Sequence, residues 1–173
     1  FWLVLARVQQ QRCCTAEGHM LHVELHEEVQ HEVIMNESGI QHEINRGAPL
    51  RGMQGDSVIL SYLDDLPPCV DMTDTPDLLM PLALYAALQP GRTTRFTGCG
   101  FLRGKESDRP AAVAHVLHTL GAQVQEAADS LVITGVSGLH GGCVDSFGDH
   151  RIAMLAGCAA MLADGPVTLT GGE

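Results

Sequence analysis

From residue 58 onward the apolar positions alternate between two periods. Val58-Ile59-Leu60 is a short apolar run that predicts a strand. Thr75-Pro76 predicts a helix start, with Thr75 as N-cap and Pro76 at the first helical position, and the helix is expected to run from about residue 77 to 88. Leu78, Leu79, Met80, Leu82, Leu84 and Leu88 lie nearly all round it, so it should be buried on most sides. Pro81 predicts a kink, and Gly91 a stop. Arg92 to Thr97 reads as a strand, with Gly98 and Gly100 as breakers. A second helix is expected over about 108–120. Its Val113, Val116, Leu117 and Leu120 share one face, and Gly121 supplies the stop. Short strands follow near 122–126 and 131–134, then a glycine-rich turn at 138–142. A third helix over about 149–162 has Ile152, Leu155, Ala159 and Leu162 on its apolar face. Gly165-Pro166 turns the chain into a last strand, Val167 to Thr170. The order is β-α-β-α-β-β and then β-α-β, which means helices packed on small mixed sheets, an α/β (α+β) class.

Residues 1 to about 52 have a different texture, and the chain divides into 1–52, an unassigned or divergent segment, and 53–173. Leu21, Val23 and Leu25 alternate with His22, Glu24 and His26, a half-buried strand pattern. The polar face of that strand is a conceivable metal site. A solvated face is the preferred reading, because no thiol or further ligand stands at a motif spacing.

Composition narrows the function. The 173 residues are 45% hydrophobic and 18% charged, with a formal charge of −11. That is a globular chain whose surface repels phosphate backbones and anionic lipid, so neither nucleic acid nor a membrane surface is an expected partner. No apolar run approaches the ~20 residues of a membrane span. Phe1 to Ala6 is too short for a signal peptide, and the absence of an initial Met predicts a processed chain or a piece of a longer one. The 6 cysteines form no C-x-x-C pair and read as reduced thiols in a cytoplasmic compartment.

The scarce positive charge is concentrated. Arg92, Arg95, Arg103, Lys105, Arg109 and Arg151 include the only lysine of the chain. Lys105 and Arg109 flank one predicted helix start, and His150 and Arg151 stand at another. Cations at a helix N-terminus are unfavourable unless an anion arrives, and such a terminus is itself an anion site. Local pairing of Lys105 with Asp108, and of Arg151 with Asp149 or Asp145, is the bland alternative.

Three stretches go further: Asp74-Thr75-Pro76-Asp77-Leu78-Leu79-Met80-Pro81, Leu102-Arg103-Gly104-Lys105-Glu106-Ser107-Asp108-Arg109, and Asp149-His150-Arg151-Ile152-Ala153-Met154. In this order and spacing they resemble the EPSP synthases (5-enolpyruvylshikimate-3-phosphate synthases) over roughly residues 50 to 173. The resemblance implies repeated βαβαββ units of the enolpyruvyl transferase fold. It implies transfer of the enolpyruvyl group of phosphoenolpyruvate to the 5-hydroxyl of shikimate 3-phosphate, with release of phosphate, in aromatic amino acid biosynthesis. No organic cofactor and no metal is implied. By motif, Asp77 is the carboxylate near the 5-hydroxyl, and Glu106 exchanges protons with the phosphoenolpyruvate carbon. Lys105 contacts substrate at the hydroxyl and phosphate side, and Arg109 and Arg151 grip phosphoenolpyruvate with His150 beside them.

The sequence departs from that family in three ways. Family members are much longer, with two similar domains that close over the substrates, and this chain looks like part of the second domain only. It ends at Gly171-Gly172-Glu173, short of a lysine that contacts phosphoenolpyruvate in the family. Pro110 follows Arg109 and should push it toward extended backbone. The chain alone is therefore expected to be inactive and to need a complementary domain. The rival readings are a UDP-N-acetylglucosamine enolpyruvyl transferase and a non-catalytic anion-binding module that kept the fold.

Overall fold

A computed structural model of the chain describes residues 4, 7 and 55–171. The expected His22-Glu24-His26 strand lies outside the described residues. A 3-10 turn at Gly55–Val58 runs into helix α1 (Ile59–Asp64), where a strand was expected at Val58-Ile59-Leu60. Three consecutive apolar residues suit a strand or a buried helix start equally. Ile59 and Leu63, one turn apart, are both buried, so the core is met by helical spacing. The first strand is instead β1 (Cys69–Asp71), three residues long and buried only at Val70.

Thr75 precedes a 3-10 turn, Pro76–Leu78, that leads into α2 (Leu79–Ala87). Thr75 makes no side-chain cap; its carbonyl accepts the Leu78 N–H at 3.0 Å. Pro81 falls in the first turn of α2, where its missing N–H has no intrahelical acceptor to lose, so the irregularity is the 3-10 entry rather than a mid-helix kink. Every residue of α2 is buried, which accounts for its apolar circumference. It touches strands β2 (Thr93–Thr97) and β4 (Ser130–Thr134) and helices α3 (Arg109–Thr119) and α4 (His150–Ala160).

Strand β3 (Gln123–Ala127) pairs with β4 in a tight hairpin. The sheet order is β1-β2-β4-β3, with β1 parallel to β2 and the other pairs antiparallel. Residues 69–134 thus form one β-α-β-α-β-β unit, as the pattern predicts, but beginning at β1. Val70, Phe96 and Leu131 stand in one cross-strand row under the helices, while Cys69, Arg95 and Val132 form the next row on the opposite face. The expected faces of α3 (Val113, Val116, Leu117, Leu120) and α4 (Ile152, Leu155, Ala159, Leu162) are buried. Gly121, at φ 93°, ends α3 in a Schellman motif: its N–H reaches the His118 carbonyl, and that of Ala122 reaches Leu117. A second, parallel sheet pairs β5 (Gly142–Asp145) with β6 (Val167–Thr170) across α4.

Arg109 is helical, the first residue of α3, rather than extended as Pro110 suggested. Pro110 needs no N–H in the first turn, and it is Asp108, at ψ 84°, that takes the non-helical backbone. Among the described residues Cys69, Cys99, Cys143 and Cys158 are free thiols. Burial pushes the Cys99 thiol up to about 11, which keeps it protonated at neutral pH.

Candidate active site

Parallel strands followed by helices leave their connections on one side of the sheet, where ligands of open α/β folds bind. Each predicted site residue lies in, or just after, such a connection. Asp77 follows β1, Lys105, Glu106 and Arg109 follow β2, and His150 and Arg151 follow β5.

The structure draws four of them into one network. Arg109 is buried, with 3% of its side chain exposed, and its guanidinium meets a carboxylate on every edge. Nε donates to Asp149 Oδ2 at 2.9 Å, Nη2 to Glu106 Oε2 at 2.6 Å, and Nη1 to Asp77 Oδ1 at 3.5 Å. Arg151 Nη2 donates to the other oxygen of Asp77 at 2.7 Å. Asp77 therefore bridges two arginines that come from two different helix starts, 74 positions from Arg151 in the chain.

Two residues of this network were missing from the predicted set. Asp149 has a fully buried side chain. Its Oδ1 caps α4 by accepting the Arg151 N–H at 2.9 Å, while Oδ2 accepts from Arg109 and, at 3.0 Å, from Ser107 Oγ. Burial pushes its carboxyl upward, but the bonds from Arg109, the Arg151 amide and Ser107 outweigh it, and its pKa lies below the usual aspartate value. Ser107 and Asp149 were both visible inside the quoted motifs. What the sequence lacked was any sign that residues 42 positions apart would touch.

Lys105 and His150 stand apart from the network. Lys105 is exposed, and among the described residues its side chain has no hydrogen bond or ion pair. Its anticipated partner Asp108 instead takes Arg103 Nη1 on both oxygens at 2.9 Å. His150 has 68% of its side chain exposed, with Nδ1 4.0 Å from Asp149 Oδ1. Arg151 contacts Asp149 through its backbone only; its guanidinium goes to Asp77, not to Asp149 or Asp145. Arg103 is tied to Asp108, to Glu126 at 2.7 Å and to the carbonyls of Ala127 and Ala128, so that cation braces the scaffold.

The network has a fixed side and a replaceable side. Asp149 is sealed in, whereas Asp77 and Glu106 have 39% and 53% of their side chains exposed. An arriving anion can take over the terminal nitrogens of Arg109 and Arg151 from those two carboxylates. It would then have two acids beside it for proton transfer, at helix starts whose N–H groups favour negative charge. A cavity of about 430 Å³, lined by Ser107, Asp108, Ala111, Ala112, His115 and Phe147, flanks the network on its Ser107 side. Among the described residues no group of three His, Cys, Asp or Glu side chains is arranged to hold a metal ion.

Comparisons of the sequence with known proteins point to one family. The model of the family described as EPSP synthase (3-phosphoshikimate 1-carboxyvinyltransferase) matches residues 22–173. The 3-phosphoshikimate 1-carboxyvinyltransferase of Clostridium acetobutylicum is 39% identical over 141 residues, covering 72% of this chain and 33% of that protein. That of Halobacterium salinarum is 46% identical over 105 residues, 60% of this chain and 24% of the relative. The chain spans about a third or less of the length of these relatives. A solved structure of EPSP synthase from Acinetobacter baumannii superposes with a TM-score of 0.49 at 31% identity, over 69% of this chain and 25% of that one. Since the family match runs over most of the sequence and through every residue of the carboxylate–arginine network, the chain belongs to the EPSP synthase family.

Proposed function

We propose that this chain supplies one wall of an enolpyruvyl-transfer site, which joins the enolpyruvyl group of phosphoenolpyruvate to the 5-hydroxyl of shikimate 3-phosphate and releases phosphate. The observation that carries the reading is Asp77 held between Arg109 and Arg151 at 3.5 and 2.7 Å. It sets a carboxylate beside the two cations best suited to grip a phosphate and a carboxylate bidentately. In this reading Arg109 and Arg151 take phosphoenolpyruvate, and Asp77 serves the acceptor hydroxyl. Glu106 exchanges protons with the methylene carbon. Lys105, whose ammonium is exposed, contacts substrate at the hydroxyl and phosphate side, and His150 lies at the rim. No cofactor or metal enters.

The rest of the site comes from a complementary domain, and the chain by itself is inactive, because closing two walls over both substrates is a large share of such catalysis. The protein works in the cytoplasm. Its partners are small anions, and neither nucleic acid nor membrane is among them. The charge of −11 supports this, and no helix among the described residues is long and apolar enough to cross a membrane.

A chimera with this chain in place of the matched segment of the Clostridium relative tests the reading. It should release phosphate only with phosphoenolpyruvate and shikimate 3-phosphate together, and Glu106→Gln should slow it by about a hundredfold or more. A folded chimera that binds both substrates without turnover, or that prefers UDP-N-acetylglucosamine as acceptor, contradicts it.

A further inference from the structure

We infer that Asp149, steadied by Ser107, is the positioning residue for Arg109: it holds the guanidinium by the Nε edge and so aims the two terminal nitrogens at the incoming anion. The inference deepens the enolpyruvyl-transfer reading and rests on it for the identity of that anion.

The geometry divides the labour of one carboxylate between its two oxygens. Oδ1 caps α4 through the Arg151 N–H. Oδ2 accepts Arg109 Nε at 2.9 Å and Ser107 Oγ at 3.0 Å. Of the three carboxylates around Arg109, only Asp149 is shut away from solvent. A ligand reaching the site from solvent meets Glu106 and Asp77 first and can displace them. It cannot reach the Nε edge. A guanidinium held on one edge keeps its plane and presents a fixed pair of N–H donors on the other. The same carboxylate fixes the start of α4, and thereby the base of Arg151. The two anion-gripping arginines, at positions 109 and 151 on different helices, are thus registered to each other through one buried group. Ser107 ties the loop bearing Lys105 and Glu106 to the same oxygen.

The test uses the full 173-residue chain and two NMR readouts. The first is the Arg109 Nε–Hε signal, which reports the edge contact whether or not ligand is present. The second is the apparent affinity for phosphoenolpyruvate from amide shifts. Asp149→Asn retains an N-capping oxygen, so the Arg151 amide should keep its bonded shift. The amide has one acceptor where the carboxylate had two, and Arg109 loses its anionic partner. The Nε–Hε signal should then lose its slow exchange with water. Affinity should fall about ten- to a hundredfold, the loss typical when the partner orienting a ligand-holding side chain is removed. Ser107→Ala should weaken binding about three- to tenfold, and Ser107→Thr should restore it. A folded Asp149→Asn with unchanged Nε–Hε exchange and unchanged affinity overturns the inference. If Asp149→Asn does not fold, Ser107→Ala with unaltered Arg109 signal and affinity overturns it equally. If the unsubstituted chain binds no phosphoenolpyruvate, the functional reading fails for this chain, and the Nε–Hε exchange alone decides whether Asp149 holds Arg109.

Discussion

Two aspartates cap two helices in this chain, and each is bound to an arginine. Asp108 caps α3 through the Ala111 N–H at 3.2 Å and takes Arg103 at 2.9 Å, with 44% of its side chain in solvent. Asp149 caps α4 through the Arg151 N–H at 2.9 Å and takes Arg109 at 2.9 Å, with none of its side chain in solvent. Residue type, helix position and partner are the same. Burial makes the difference. The exposed pair exchanges water for protein at little net gain and braces the loop, since Arg103 spends its remaining donors on two carbonyls and Glu126. The buried pair exists only because each charge has the other, and it fixes the direction of the arginine whose far edge faces the site.

Deleting each carboxylate separates the two pairs. Asp149→Ala should cost about 3–5 kcal/mol of stability, because it strands the buried Arg109 charge and removes a cap. Asp108→Ala should cost about 1 kcal/mol, the worth of a cap alone. Urea unfolding measures both, and equal losses would erase the distinction. The two sites also separate in acid. The Asp149 carboxyl is depressed in the folded chain, so its contribution is complete above the ordinary aspartate value of 3.8 and is lost as pH falls below it. The stability gap between the unsubstituted chain and Asp149→Asn should stay constant from pH 7 to 5 and narrow as pH falls below 3.8. A gap that widens in acid contradicts the assignment. Arg103→Ala should cost about 1 kcal/mol or less and leave phosphoenolpyruvate-induced shifts at residues 149–151 in place. The smallest effect belongs to Glu106→Gln, whose half-exposed partner role should change stability by less than about 0.5 kcal/mol even as it removes proton exchange.

Much of this architecture was legible in the order of residues. The faces of α3 and α4 follow from apolar spacing alone, and the β-α-β-α-β-β order survives intact. Its start was misplaced because β1 has three residues, too few to show a period, while the apolar run at 58–60 looked the same for strand and helix. Backbone effects of proline were read too locally. Pro81 and Pro110 both sit in first turns, where a missing N–H has no intrahelical partner to lose. At the site, charge patterning identified Arg109 and Arg151 as cations in need of an anion. It did not show that Asp77 and Glu106 occupy them, nor that Asp149 lies beneath. Asp77 and Asp149 lie 32 and 40 positions from Arg109, beyond any local rule, whereas Glu106 is an i, i+3 neighbour that local spacing allowed. Lys105 does not pair with Asp108 because Arg103 Nη1 already takes both Asp108 oxygens, while its other nitrogens bond the carbonyls of Ala128 and Ala127.

Two helix starts, at Arg109 and at His150, make one anion site. The most direct measurement is an amide NMR titration of the isolated chain with phosphoenolpyruvate, with and without shikimate 3-phosphate. Saturable shifts are expected at both Lys105–Arg109 and Asp149–Arg151, moving with one affinity. A folded chain with no shifts, or with shifts confined to one of the two stretches, would contradict it.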